Sequence, residues 1–211
     1  MSPMGKSAAI GAVLAALVVL FIAPSVGDSA DGGATQGGRS LRGQFLVATP
    51  NMGDPRFAQS VIYMVDHTPR GAMGFIVNRA FGTGPLGKFL KGFNIESEKS
   101  DATITIQYGG PVTPGRGFVL HTSDYAGKGT IRVSDKVSMT IEMSVLRDLA
   151  AGKGPSRVLF AMGYAGWGPQ QLEGEMARDD WLTAPEDLGL IFGDDQDTKW
   201  ERARTGAGLK L

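Results

Sequence analysis

GYAGWGPQQLEGE, Gly163 to Glu175, follows an unbroken apolar run, Val158 to Met162. A short apolar run of that kind suits a strand covered on both faces. Pro169 fits the first position of a helix, where its missing N–H donor costs nothing, and Leu172 and Met176 then fall four apart on one helical face. The stretch reads as strand, glycine-rich turn and helix, with Gly166, Trp167 and Gly168 at a tight, exposed corner. Backbone amides at such a corner are open to a ligand. The same tryptophan and glycines are equally well explained by the packing of a tight strand-to-helix turn.

From Leu41 onward the chain alternates short strands and helices. Phe45 to Ala48 and Phe75 to Val77 are, like Val158 to Met162, apolar on both faces and suit central strands with helices packed over them. Ile104, Ile106 and Tyr108 alternate with Thr103, Thr105 and Gln107; Met139, Ile141 and Met143 alternate with Ser138, Thr140 and Glu142; Gly129 to Ser134 is a shorter run. These period-two segments read as half-buried strands and predict an antiparallel meander in the middle of the chain. One helix is placed from Pro85, with Leu86, Phe89, Leu90 and Phe93 on one face. A second follows Ser144 as N-cap, buries Val145, Leu146 and Leu149, and stops near Gly152. The third starts at Pro169. A fourth begins at Thr198, where Glu201 completes a capping box, and its glycine-broken continuation marks a frayed end whose removal should cost little.

A length of 211 residues accommodates one domain with a real core. Basic and acidic residues balance at 21 each and no basic cluster tracks a phosphate backbone, so nucleic-acid binding has no electrostatic support. With no cysteine in the chain, disulfides, thiolate nucleophiles and cysteine-ligated metals are excluded. Ala8 to Ala23 is uncharged and almost wholly apolar, preceded by Lys6 and closed by Pro24. Residues 1–27 therefore read as a signal peptide, with a cleavage site after Gly27, or as an N-terminal membrane anchor. Residues 28–40 read as a flexible linker and 41–211 as the folded domain. This places the domain in the cell envelope, periplasmic or membrane-anchored, with membrane contact through the N-terminal segment only.

LRGQFLVATPNMGD (Leu41 to Asp54), FAQSVIYMVDH (Phe57 to His67), GAMGFIVNR (Gly71 to Arg79), QYGGPV (Gln107 to Val112), RGFVLHT (Arg116 to Thr122), GYAGWGPQQLEGE and WLTAP (Trp181 to Pro185) stand in one order. Together they closely resemble the AlgH/YqgE-like family over nearly everything from Leu41 to about Phe192. The resemblance implies an α+β domain on a strongly bent or bifurcated mixed β-sheet, largely antiparallel, with helices packed around it. It also implies a bacterial protein of uncharacterised molecular role, in a family often labelled transcriptional regulators and usually cytoplasmic. The chain departs from the pattern in its N-terminal apolar run, and in Val65, where many relatives place a cysteine. A helix-turn-helix would need two adjacent helices, the second basic, and this chain offers neither.

The candidates for ligand or partner contact are Asn51, Asn78, Arg79, Gly110 and Trp167. Asn51 lies in a turn beyond the first strand, where it also serves to bond its own backbone. Asn78 and Arg79 end a strand and either reach a ligand above the sheet or cap the strand and pair with Asp66. Gly109, Gly110 and Pro111 either line a small pocket walled by Trp167 or permit a sharp bend of the sheet. His67 and His121 end strands but lack the i, i+4 spacing of a helical metal pair, and read as structural; no metal or cofactor is assigned. No nucleophile elbow or P-loop is present, and Glu173, Glu175, Asp179 and Asp180 crowd one segment as a solvated face. The expectation is a non-enzymatic binding or regulatory protein with a protein partner or small ligand. The alternatives are a hydrolase-like enzyme using His67 or His121 as base, or a DNA-associated transcriptional regulator.

Overall fold

β9 (Val158–Trp167) organises the molecule, because ladders form along both of its edges. Before it come β1 (Phe45–Ala48), β2 (Val61–Thr68), β3 (Gly71–Ile76), β4 (Ala80–Pro85), α1 (Leu86–Lys91), β5 (Thr103–Tyr108), β6 (Val112–Thr122), β7 (Thr130–Arg132), β8 (Val137–Thr140) and α2 (Ser144–Ala150). After it come α3 (Gln171–Ala177), β10 (Trp181–Ala184), α4 (Leu188–Phe192) and α5 (Lys199–Gly206). The computed structural model describes residues 40–97, 103–142 and 144–208. The N-terminal segment 1–27 expected to be a signal peptide or anchor, the expected linker apart from Ser40, and Met143 lie outside the described residues. No described helix is long and apolar enough to cross a membrane.

The strands follow the order β10-β1-β2-β3-β9-β6-β8-β7, with β5 also on β9 and β4 on β5. Every pairing is antiparallel except β5 with β9. β6 lies along one edge of β9, while the other edge is shared: Phe160–Met162 pair with β5 and Ala165–Trp167 with β3. The sheet is therefore curled and forked, as the family resemblance implies. The fork falls at Gly163, whose φ of +69° is left-handed. A Cβ there would run into the carbonyl oxygen of Gly110, and one on Gly110 would overlap the backbone of Tyr164. Gly110 thus bends the sheet, and it is buried.

Several local expectations change. GYAGW is the second half of β9, because both of its edges find partners; the turn comes later, at residues 168–170, with Gln170 left-handed at φ 60° and the helix starting at Gln171. The central strands do not form a simple meander. β8, buried at all four positions, inserts between β6 and β7, and β7 with its exposed Ile131 takes the outer edge. Ser144 is the first residue of α2, whose buried side chains are Val145, Leu146 and Ala150. Thr198 does not build a capping box; its hydroxyl donates to Asp195 instead. Nor is α5 a loose end: Lys199 and Ala203 are fully buried, and the indole N–H of Trp200 donates to the Ala48 carbonyl at 2.8 Å.

β1 and β2 are covered on both sides. One face of the sheet carries Phe45, Val47, Val61 and Tyr63 against α4 and α5, the other Leu46, Ala48, Ile62 and Met64 against α3, Trp167 and Trp181. A third core joins α1 and α2 to the β5, β6 and β9 branch around Phe160. Val65 is buried at the irregularity in the β2–β3 ladder between Met64 and Asp66.

Candidate functional site

Loop 49–60 links β1 to β2, and most of the candidate residues converge on it. Asn78 leaves β3 and reaches back: its Oδ1 accepts the Val61 N–H at 2.9 Å and its Nδ2 donates to the Gln59 carbonyl at 2.8 Å. The Arg79 guanidinium donates to the carbonyls of Arg56 and Ala58, not to Asp66. Phe57 packs against Trp167 and Trp181, with ring centroids 6.5 and 5.8 Å away. Thr49 anchors the near end, accepting the Asn51 N–H at 3.2 Å and donating to the Asp179 carbonyl at 2.7 Å. Asn51 is exposed, and its side chain makes no hydrogen bond among the described residues. Thus Asn51 lies in the loop, Asn78, Arg79 and Trp167 brace it, and Gly110 stands apart at the fork.

Trp167 is only 6% exposed, which corrects the open corner expected from its glycines. Its ring packs edge-on to Trp181, and Glu175 Oε2 accepts both indole N–H groups at 2.8 Å. Glu173 Oε1 meets His67 Nε2 at 3.0 Å, and this hydrogen bond holds the Glu173 carboxyl below its usual range. The glutamates of α3 therefore clasp the sheet, Glu175 from a half-buried position, while Glu173 and Asp179 stay exposed as a solvated face requires.

The histidines are occupied. His67 Nδ1 accepts the Leu41 N–H at 3.0 Å, so its ring proton sits on Nε2, facing Glu173. His121 is fully buried between the Thr122 carbonyl and the Thr140 hydroxyl, and burial pushes its pKa down. Among the described residues no three metal-ligating side chains come close enough to hold an ion.

Where the loop ends against α5, a cavity of about 350 Å³ opens, lined by residues 58–59, Asn78, Arg79, Gln196, Asp197, Trp200 and Glu201. Gln59 holds a left-handed φ of 56°, uncommon for a side-chain-bearing residue. Near Asn78, Lys199 is fully buried, its Nζ donating to the Val77 carbonyl at 2.8 Å, and burial lowers its pKa to about 8. Gln107 Nε2 donates to Gln196 Oε1 at 3.1 Å, while Gln107 Oε1 and Ser60 Oγ are buried without a hydrogen-bond partner. The sequence reading missed Gln59, Gln196, Lys199 and Trp200. A signal was available in Trp200, Ala203 and Ala207, whose spacing of three and four marks one apolar helical face.

Known proteins agree with this architecture. The sequence model of the AlgH-like family matches residues 45–211. A UPF0301 protein of Methylococcus capsulatus is 50% identical over 176 residues, covering 83% of this chain and 96% of its own. A UPF0301 protein of Rhodospirillum rubrum is 47% identical over 152 residues, covering 72% and 79%. The solution structure of the AlgH protein from Pseudomonas aeruginosa superposes with a TM-score of 0.69 at 35% identity, covering 87% of this chain and 95% of that one. The crystal structure of a Corynebacterium diphtheriae protein shares the fold with a TM-score of 0.61 at 19% identity, covering 81% and 89%.

Proposed function

We propose that this chain, which belongs to the AlgH-like family, is a non-enzymatic binding protein that receives a protein partner or small polar ligand in the cavity between loop 49–60 and α5. The observation that carries the reading is the convergence of Asn78 and Arg79, which fix the loop, on a largely polar cavity beside a left-handed Gln59 and the half-buried Trp200. Backbone held in a sparsely populated region is often stored at binding sites. Asp197 and Glu201 in the lining favour a ligand group that is cationic or donates hydrogen bonds. Catalysis has less support, because both histidines are saturated by neighbours and neither lines this cavity. A DNA-associated role gains no support from net charge, with basic and acidic residues balanced at 21 and 21.

The reading is tested by affinity capture from the protein's own cells with the full-length chain, beside Gln59→Lys and Glu201→Lys. A partner or ligand should be retained by the wild type and lost by both variants while their thermal midpoints stay near the wild-type value. Equal retention by all three chains, or turnover in a hydrolase screen that His67→Gln abolishes, removes it.

We further propose a cell-envelope location, on the strength of Lys6 and the apolar run to Ala23. The intact mass of the mature chain and membrane fractionation distinguish cleavage after Gly27, a retained anchor and a cytoplasmic protein.

A further inference from the structure

On the other branch of the sheet, β4 presents a free edge. Among the described residues it pairs only with β5, so alternate N–H and C=O groups along its second edge point outward. Exposed edges are usually blunted by charge, by proline or by cover. β4, AFGTGP, has no charged residue, and its proline stands at the very end. Phe81 is 64% exposed, its ring edge-on to Tyr108 at 5.6 Å.

Gly82 and Gly84 stand opposite Ile106 and Ile104, so these four positions share one face of the β4–β5 ladder. Among the described residues, chain neighbours aside, no atom lies within 4 Å of the place a Cβ would take on either glycine. The missing side chains leave an open groove of about 300 Å³ over Ile104 and Ile106, flanked by Lys88 and Phe89 of α1. Glycine inside a strand weakens it, and often marks a place where a ligand or a second backbone approaches closely. At Gly110 the chain's own crowding demands glycine; at Gly82 and Gly84 nothing in the described chain does.

We propose that the groove between β4 and α1 docks an extended peptide segment of a partner protein, one that carries apolar side chains and a carboxylate and adds as a strand to the edge of β4. Its apolar side chains fill the space over Ile104 and Ile106. Its backbone satisfies the outward groups of β4. Its carboxylate meets Lys88, the one charged side chain among the described residues lining the groove, with Lys91 following in the same helix. A second copy docked about a twofold axis would set this cationic rim against a groove that offers it no acid. An acyl chain would suit the floor and Lys88 but leave the edge of β4 unpaired. The proposal is independent of the cavity beside α5.

The test titrates the full-length chain with short, C-terminally amidated, fluorescein-labelled peptides alternating Val and Phe with Thr, ending in Asp or Asn, and reads fluorescence anisotropy. Saturable binding is expected for the acidic peptides, weakened at least about tenfold by Gly82→Val combined with Gly84→Val, which fills the groove, and about threefold by Lys88→Gln. The doubly substituted chain should keep a thermal midpoint at or above wild type, since valine suits a strand and has room. If it fails to fold, Phe81→Ser and Lys88→Gln carry the same comparison. The proposal is overturned if no peptide saturates at about millimolar concentration, if the groove and Lys88 variants bind like wild type, or if the groove instead supports self-association in sedimentation that the valines abolish.

Discussion

Two pairs of glycines, Gly110 with Gly163 and Gly82 with Gly84, have opposite physical causes in this molecule. At the fork of the sheet, Gly110 and Gly163 hold φ values of +151° and +69°, and a side chain on either would collide with backbone. On β4, Gly82 and Gly84 have open space around them among the described residues, and no left-handed backbone. In the first pair glycine is a geometric necessity of the fold. In the second it leaves room that the described chain does not use. A glycine in a sequence carries no mark of which case applies, so the distinction has to come from what surrounds it.

The comparison breaks most visibly if the crowded pair tolerates a methyl group. Gly110→Ala must move the backbone of Tyr164 and adopt a φ that L residues rarely take, and a loss of about 4 kcal/mol or outright failure to fold is expected. Urea denaturation of the purified chain measures it; a loss below about 1 kcal/mol would mean that the fork is more yielding than its packing implies. Trp167→Ala comes next. Removing a nearly buried indole leaves a cavity against Phe57 and Trp181 and deprives Glu175 of one of its donors, at a cost of about 3 kcal/mol. A thermal midpoint near wild type together with loss of partner capture would instead make Trp167 a contact residue.

The fork also shows what the sequence could reveal. The paired apolar faces of Phe45–Ala48 and Val158–Met162 are legible because burial on two sides leaves no polar alternation. GYAGW was not legible as strand, since its glycines mimic a turn and only the partners on either edge, β3 and Val112, show that it continues a ladder. Asn78 and Arg79 were legible as polar groups ending a strand. That they brace loop 49–60 depends on contacts about twenty residues away along the chain, with Gln59 and Ala58. Lys199 was invisible for a stronger reason: a lysine in a helix ordinarily faces water, and here tertiary packing overrides that preference.

Lys199 extends the crowded side of the comparison to pH. Below about pH 8 the native chain holds its ammonium in a buried setting, with the Val77 carbonyl as hydrogen-bond acceptor, whereas the unfolded chain hydrates it freely. Between about 8 and the ordinary lysine value of 10.5, the unfolded state binds more protons than the native state. Stability therefore rises with pH through that window, by on the order of 1 to 3 kcal/mol. Above about 10, buried Tyr63 and Tyr125, both with raised pKa values, work in the opposite direction, because only the unfolded chain ionises them there. Denaturation between pH 7 and 9.5 isolates the lysine, and Lys199→Met should flatten the slope. An unchanged slope would assign it to another group.

The smallest effect is the most discriminating for β4. Gly84→Ala adds a methyl group where no described residue beyond its chain neighbours lies within 4 Å and where the backbone is not left-handed, so the native state meets no clash with them. The unfolded chain loses conformational freedom, and alanine in an ordered segment then gains up to about 1 kcal/mol over glycine. The expected result is a thermal midpoint equal to or slightly above wild type, against the collapse expected for Gly110→Ala. A loss of more than about 1 kcal/mol would show that the space over Ile104 is already filled within the intact chain. The groove would then be internal packing, and the two pairs of glycines would share one cause after all.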